Sequence, residues 1–276
     1  MGSRNRMLKN LLAGIAIFIA AFHIIPFYIM ITTSFKRESD FSSKWIFPDY
    51  LRLENFAEAW SQAHLGTAFM NSIIITAISA VLLIILGSMA SYPLARYTTR
   101  LNKAVYYFII SIMVVPPLTA LVPLYKLVVD IGMMNTRTIA ILNNTTAFLP
   151  LTVFLYAGFI RSTVPRELEE AARIDGAGTL GIFYKIVFPL LKPVTATVLI
   201  ISSVFIWNDY QFAIFFLQDN DVQTITVALA GFFGQNQSNL SLVAAAALMA
   251  VLPMTIVFLF LQKYFIQGLA GGSVKG

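Results

Sequence analysis

Residues 167–189 read ELEEAARIDGAGTLGIFYKIVFP, a charged, helix-forming stretch set between the long apolar runs 139–160 and 194–217. A polar helix between two apolar runs of this length marks an extramembrane loop joining two membrane spans. The local signals give the loop its shape. Pro165 stands where the first turn of a helix tolerates proline, and Glu167, Glu169 and Glu170 follow at the positive end of the helix dipole. Arg173 lies near the negative end, and Gly176 can take the left-handed conformation that stops a helix. These signals predict a helix of roughly ten residues, about 15 Å long. A second short helix is expected over 179–187, ending before Pro189, with Pro193 opening the next span.

Working outward, the chain is 58% hydrophobic and only 12% charged, far more apolar than a water-soluble core requires. Spanning the hydrocarbon takes about 20 apolar residues as helix. Lipid offers no partner for backbone polar groups, so only helices or a closed barrel can cross. The apolar runs are continuous and do not alternate, which predicts an all-α polytopic membrane protein. Six spans are expected, over 11–31, 68–86, 105–129, 139–160, 194–217 and 242–261. The first run is too long for a cleaved signal peptide, and no small-x-small site follows it.

Orientation follows from the basic residues, which are retained on the cytoplasmic side. With the N-terminus inside, 13 of the 19 Lys and Arg residues fall on the inner side, at 4–9, 96–103, 161–192 and 263–275. Both termini are then cytoplasmic, and residues 1–276 form a single transmembrane domain. It carries an outer loop over 35–67, an inner loop over 161–193 between spans four and five, and an inner tail over 263–276. The formal charge of +6 reads as topology, and nucleic acid is not an expected partner. The chain has no cysteine, so disulfides and thiolate metal sites are excluded. His23 and His64 have no second ligand at metal spacing, and no metal or catalytic residue is expected. The outer loop mixes Phe41, Trp45, Phe47, Tyr50, Phe56 and Trp60 with charges, as an interfacial aromatic belt or a docking surface for an outer partner would.

The inner loop resembles the cytoplasmic loop of membrane subunits of ATP-binding-cassette importers, with Glu170-Ala171-Ala172, Gly176, Ile186 and Pro189 in place and Phe188 where Leu is usual. Further segments resemble the carbohydrate branch, in particular the shorter permease of the maltose-transporter type. These are Asn71-Ser72, the ASYPLAR run of 90–96, Pro116-Pro117, Pro123-Leu124-Tyr125, Trp207-Asn208-Asp209 and the terminal GLAGGSVKG of 268–276. The tail departs from that pattern at Ala270 and over 271–273.

The resemblance implies a permease of the bacterial inner membrane, half of the translocation pathway of an ATP-driven, binding-protein-dependent sugar importer, and not an enzyme. Its implied partners are a second homologous permease, two cassette ATPase subunits inside, a solute-binding protein outside and the surrounding lipid. No phosphate-binding Gly-x-x-x-x-Gly-Lys-Ser/Thr loop occurs, so ATP and Mg belong to the partner ATPases and this chain holds no cofactor. The implied coupling residues are Glu169, Glu170, Ala171, Ala172, Asp175, Gly176, Ala177 and Pro189. Glu170 would offer its carboxylate to a partner Arg, and the two alanines would let a cleft approach the backbone. Val274, Lys275 and Gly276 are implied to reach the ATPase subunits.

Polar residues within spans are costly unless paired or facing a cavity, so each marks a functional candidate. Asn143 and Asn144, with Thr145 and Thr146, lie in the outer third of span four. Trp207, Asn208, Asp209, Tyr210 and Gln211 lie in the outer half of span five. Both groups are expected about 10 Å below the surface at 1.5 Å per residue, where they could line one aqueous vestibule. Trp207 and Tyr210, three apart, would share a helix face suited to sugar rings. The same residues can equally hydrogen-bond between helices. A self-sufficient secondary transporter is the alternative, with Asp209 as its one buried carboxylate.

Overall fold

The computed structural model describes the backbone of residues 2–273 and the side chains of residues 6–263. Val274, Lys275 and Gly276, the expected ATPase-contacting tail, lie outside the described residues. Among the described residues every regular element is a helix. Four helices are long and apolar enough to cross a membrane: Arg6–Ser34 within α1 (Gly2–Ser34), α3 (Leu65–Arg96), α6 (Arg137–Thr163) and Leu240–Lys263 within α13 (Leu240–Ser273). A short amphipathic helix, α2 (Glu54–Gln62), lies in the loop between α1 and α3.

Two expected spans are not straight rods. The third is broken into α4 (Arg100–Ile112) and a second half of a 3₁₀ turn (Pro117–Ala120) and α5 (Leu121–Asp130), at 90° to one another. Pro116 and Pro117 stop the helix, because each lacks the N–H that would continue it. The N–H groups of Met113, Val114, Val115 and Thr119 each bond a carbonyl three residues back, so the break is lined with closed turns. Pro150 and Pro253, by contrast, are carried inside α6 and α13.

The fifth span also differs from expectation. The inner segment Thr179–Leu190 meets α10 (Lys192–Trp207) at 73°, and α10 ends at Trp207, ten residues short of the expected end. The segment 179–190 contains α8 (Thr179–Ile182), a π-helical turn over Phe183–Val187 and α9 (Phe188–Leu190). It was expected to stop before Pro189. The widened π turn just before Pro189 lets the chain remain helical past a residue that cannot donate. After α10 come a single turn, α11 (Ala213–Phe216), and an 11-residue apolar helix, α12 (Ile225–Gln235), which was not foreseen.

The chain divides into two compact units: one from the segment ending at Gly66 with Ala228–Leu252, the other from Thr67–Val227 with the segment beginning at Pro253. In the first, the outer loop is a folded piece. The Lys36 ammonium is buried and donates to the Ser42 hydroxyl at 2.6 Å and the Ser43 carbonyl at 2.9 Å. Asn55 of α2 donates to the carbonyls of Ser34 and Lys36, both at 2.8 Å, tying α2 to the end of α1. Tyr50 donates to Asp40 and lies under the Arg37 guanidinium at 4.8 Å. Hydrogen bonds from the Ser42 side chain, the Tyr50 hydroxyl and the Ser42 N–H hold the Asp40 carboxyl down at about 2, against 3.8 ordinarily.

The second unit is built around α6, whose Val153, Tyr156 and Ile160 are wholly buried. Small residues of α3 let it approach closely. A Cβ at Gly87 would overlap the Thr152 side chain, and the Ser91 hydroxyl bonds the Val153 carbonyl at 3.1 Å. Such small-residue contacts suit helix packing in lipid, where apolar burial supplies no drive of its own. Against α10, the Tyr156 hydroxyl donates to Thr195 Oγ1 at 2.9 Å.

Candidate coupling and solute-path sites

The inner loop begins with α7 (Arg166–Ile174), nine residues long, close to the expected ten. Pro165 is its N-cap in extended conformation, with Glu167 and Glu169 in the first turn and Arg173 in the last. Gly176 has φ +83°, the Ala177 N–H bonds the Ala172 carbonyl at 2.9 Å, and the Gly176 N–H bonds the Arg173 carbonyl at 3.0 Å. This pair of bonds with a left-handed glycine is the Schellman stop, so the helix ends where the sequence signals it.

The expected coupling residues divide by burial. Glu170 and Ala171 of α7, Asp175, Gly176 and Ala177 just after it, and Pro189 of α9 are exposed, whereas Ala172 and Glu169 are buried. Ala172 packs into the core with Ile182 and Phe183, so only Ala171 remains to admit a close partner backbone. Ile174 at the end of α7 and Leu180 of α8 are also exposed, at 87% and 66% accessibility, apolar residues that the sequence did not single out. Exposed apolar side chains beside Glu170 and Asp175, on a loop whose ends are pinned, make a surface suited to a protein partner.

Glu169 turns into the chain. Its Oε1 accepts from Arg96 Nε at 2.6 Å and its Oε2 from the Tyr92 hydroxyl at 2.8 Å, both from the end of α3. Arg96 also donates to the Val164 carbonyl at 2.7 Å, and the Arg96 and Glu169 side chains are each only 5% exposed. Arg173 donates to the Tyr97 hydroxyl at 3.3 Å. Arg96 and Tyr92 were visible in the ASYPLAR run, but nothing local in sequence paired them with Glu169.

The solute-path candidates are partly assembled. Asn144, buried in α6, donates to the Ala140 carbonyl at 2.9 Å and to Asp209 Oδ2 at 3.4 Å. Asp209 Oδ1 accepts the Phe212 N–H at 3.1 Å, and its carbonyl accepts from the Thr226 hydroxyl at 2.8 Å. The α6 and 207–211 groups therefore do meet. Trp207 and Tyr210 do not share a helix face, because α10 stops at Trp207 and the chain turns there. Trp207 is 4% exposed and edge-on to Phe69, whereas Tyr210 is 41% exposed. Asn208 and Gln211 are exposed. Asn143 and Thr146 line a cavity of about 530 Å³ with Pro116, Pro117, Leu124 and Phe212, at the break between α4 and α5.

A second polar junction, not assigned a site from sequence, closes the start of α3. Asn71 Nδ2 donates to the carbonyls of Asp221 at 3.0 Å and Gln223 at 2.9 Å, while its Oδ1 accepts from Arg137 Nε at 2.7 Å. The Ser72 hydroxyl accepts the Ile225 N–H at 2.9 Å.

Residues 83–271 match the family described as binding-protein-dependent transport system inner membrane component. The chain is 67% identical over 274 residues to the melibiose/raffinose/stachyose import permease protein MelC of Bacillus subtilis (strain 168), covering 99% of this chain and 98% of MelC. It is 33% identical to the arabinooligosaccharides transport system permease protein AraQ of Halalkalibacterium halodurans, with 94% of each chain covered. Among solved structures, a chain of a bacterial ABC transporter involved in the import of the acidic polysaccharide alginate superposes with a TM-score of 0.80 at 21% identity. The superposition covers 96% of this chain and 99% of that one.

Proposed function

This chain belongs to the inner-membrane components of binding-protein-dependent transport systems, and we propose that it is a permease subunit importing oligosaccharides of the melibiose, raffinose and stachyose type. The observation that carries the substrate class is the 67% identity to MelC across nearly the full length of both chains. As a permease of the inner membrane the chain has no catalytic role, and energy must come from elsewhere.

In this reading each bent pair counts as one span, making six, with both termini in the cytoplasm, as the distribution of basic residues favours. Glu170 and Ala171 of α7, with Asp175, Gly176 and Ala177 after it and Pro189 of α9, meet a cassette ATPase that binds ATP and Mg. Ala172 and Glu169 hold the helix from behind. A second permease completes the pathway, and a solute-binding protein delivers the sugar from outside. Val274, Lys275 and Gly276 reach toward the ATPases. The solute path runs past Asn143, Asn144, Asn208, Asp209, Tyr210 and Gln211, where amides, a carboxylate and an exposed phenol offer partners for sugar hydroxyls. Trp207, packed against Phe69, backs this wall.

The test is reconstitution of the complete importer in proteoliposomes, with the binding protein loaded in turn with melibiose, raffinose, stachyose or maltose. Stimulated ATP hydrolysis and uptake with the first three are expected. Stimulation by maltose alone would overturn the substrate class.

A further inference from the structure

The contact between α7 and α3 is unusual for a membrane-edge helix because it is made by a buried charge. One carboxylate, Glu169, receives Arg96 and Tyr92, and the same guanidinium reaches back to the carbonyl of Val164 just before α7. A buried ion pair of this kind is a poor stability device, since well-packed apolar residues usually do as well or better. What it supplies is direction. Three charge-assisted bonds on fixed atoms prevent α7 from sliding along or rolling over the end of α3, which an apolar contact would permit.

The other end of α3 is also held. Asn71 and Ser72 fasten its first turns to the 221–225 segment and to Arg137 at the start of α6. Asn71 and Arg96 stand 25 residues apart on one helix, roughly 38 Å at 1.5 Å per residue. Both ends of α3, a continuous helix that carries Pro93 between Tyr92 and Arg96, are thus fixed by directional polar bonds, one beside α7 and the other beside the segment that follows Asp209.

We propose that Glu169, Arg96 and Tyr92 form the pin through which displacement of α7 is passed to α3 and so to the Asn71 junction, acting as positioning residues and not as ATPase contacts. The inference rests on the reading of α7 as the helix that docks the ATPase. It makes the buried carboxylate the transmitting member of the Glu169-Glu170 pair and the exposed one the docking member.

The test compares the purified wild-type importer with the double variant Arg96→Met/Glu169→Met. This variant removes both charges together and leaves neither buried alone. The expected result is co-purification of the ATPase subunits at wild-type level, since Glu170, Ala171 and Ile174 are untouched. The ratio of hydrolysis stimulated by raffinose-loaded binding protein to basal hydrolysis should fall by about five- to tenfold, and uptake should fall with it. Tyr92→Phe, which removes one of the three bonds, should give a smaller loss of the same ratio. A wild-type ratio in the double variant overturns the proposal. So does loss of the ATPase from the complex, which would make the network a support of the docking surface alone. Failure of the functional reading looks different, since the wild-type complex itself would then show no stimulation by any of the sugars.

Discussion

Gly87 of α3 lies so close to Thr152 of α6 that a Cβ at position 87 would overlap the Thr152 Cγ2 methyl. Gly87→Ala is therefore expected to destabilise the helix pair by about 1–3 kcal/mol, the usual penalty for overpacking. Adding Thr152→Ser removes the methyl and keeps the hydroxyl that bonds the Phe148 carbonyl, so it should recover most of the loss. Thermal unfolding in detergent of the single and double variants checks this. Equal melting of Gly87→Ala and wild type would show that the approach is not limiting.

At Gly176 the space around a new Cβ is open and only the backbone objects, with φ at +83°. Gly176→Val should abolish uptake by unseating the end of α7, at a cost of about 1–2 kcal/mol in local conformation. Gly176→Asn, which tolerates the left-handed region, should retain most transport. Glu170→Lys reverses the exposed charge without touching the fold and should abolish uptake at unchanged membrane levels. Uptake assays normalised to immunoblots decide among these outcomes, and normal uptake in both Glu170→Lys and Gly176→Val would sink the docking reading.

The chain has no cysteine, so single cysteines report position directly. Cysteine at Asn208, Tyr210 or Gln211 should react with a water-soluble thiol reagent in at least one transport state, whereas cysteine at Trp207 should be protected in all. Protection at all four positions would place the 208–211 segment against protein or lipid and remove it from the solute path.

Asp40 gives the outer loop an acid limit. Its carboxyl is held near 2, below the ordinary 3.8, so the ionised form is favoured in the folded loop. The stabilisation is complete above about pH 4 and is lost as pH falls through 3.8 toward 2. Emission from Trp45, with Trp60 and Trp207 replaced by Phe, should shift across that window, and Asp40→Asn should already show the low-pH signal at neutral pH. An unshifted Asp40→Asn spectrum would show that the carboxylate does not order the loop.

The inner helix was legible because its signals are local: a proline before the first turn, acids within it and a glycine at the stop all lie within a dozen residues. The apolar runs were legible for the same reason. The break at 113–116 was signalled by Pro116 and Pro117, which interrupt an apolar helix, though its right angle was not. The end of α10 at Trp207 was not legible, because the polar run 208–211 reads as polar groups inside a span as readily as a stop. The helix Ile225–Gln235 is half the length of a span and gave no span signal. The contacts that organise the sites join residues far apart in the chain, Glu169 with Arg96 at 73 residues and Asn71 with Arg137 at 66, and no periodicity reports them.

The doubled proline of the third span has a consequence for what must surround it. A bend in hydrocarbon is tolerated only if its backbone donors are satisfied, which ordinarily requires a neighbouring protein or a water-filled cavity. Pro116 and Pro117 have no donor to satisfy, and the N–H groups of Met113, Val114, Val115 and Thr119 are bonded within the turn. The right-angle corner therefore carries few exposed donors into lipid. The acceptor side is different: the Met113 carbonyl would meet a donor at position 117 in a continuous helix and Pro117 supplies none, so the corner asks its surroundings for a hydrogen-bond donor and not for an acceptor.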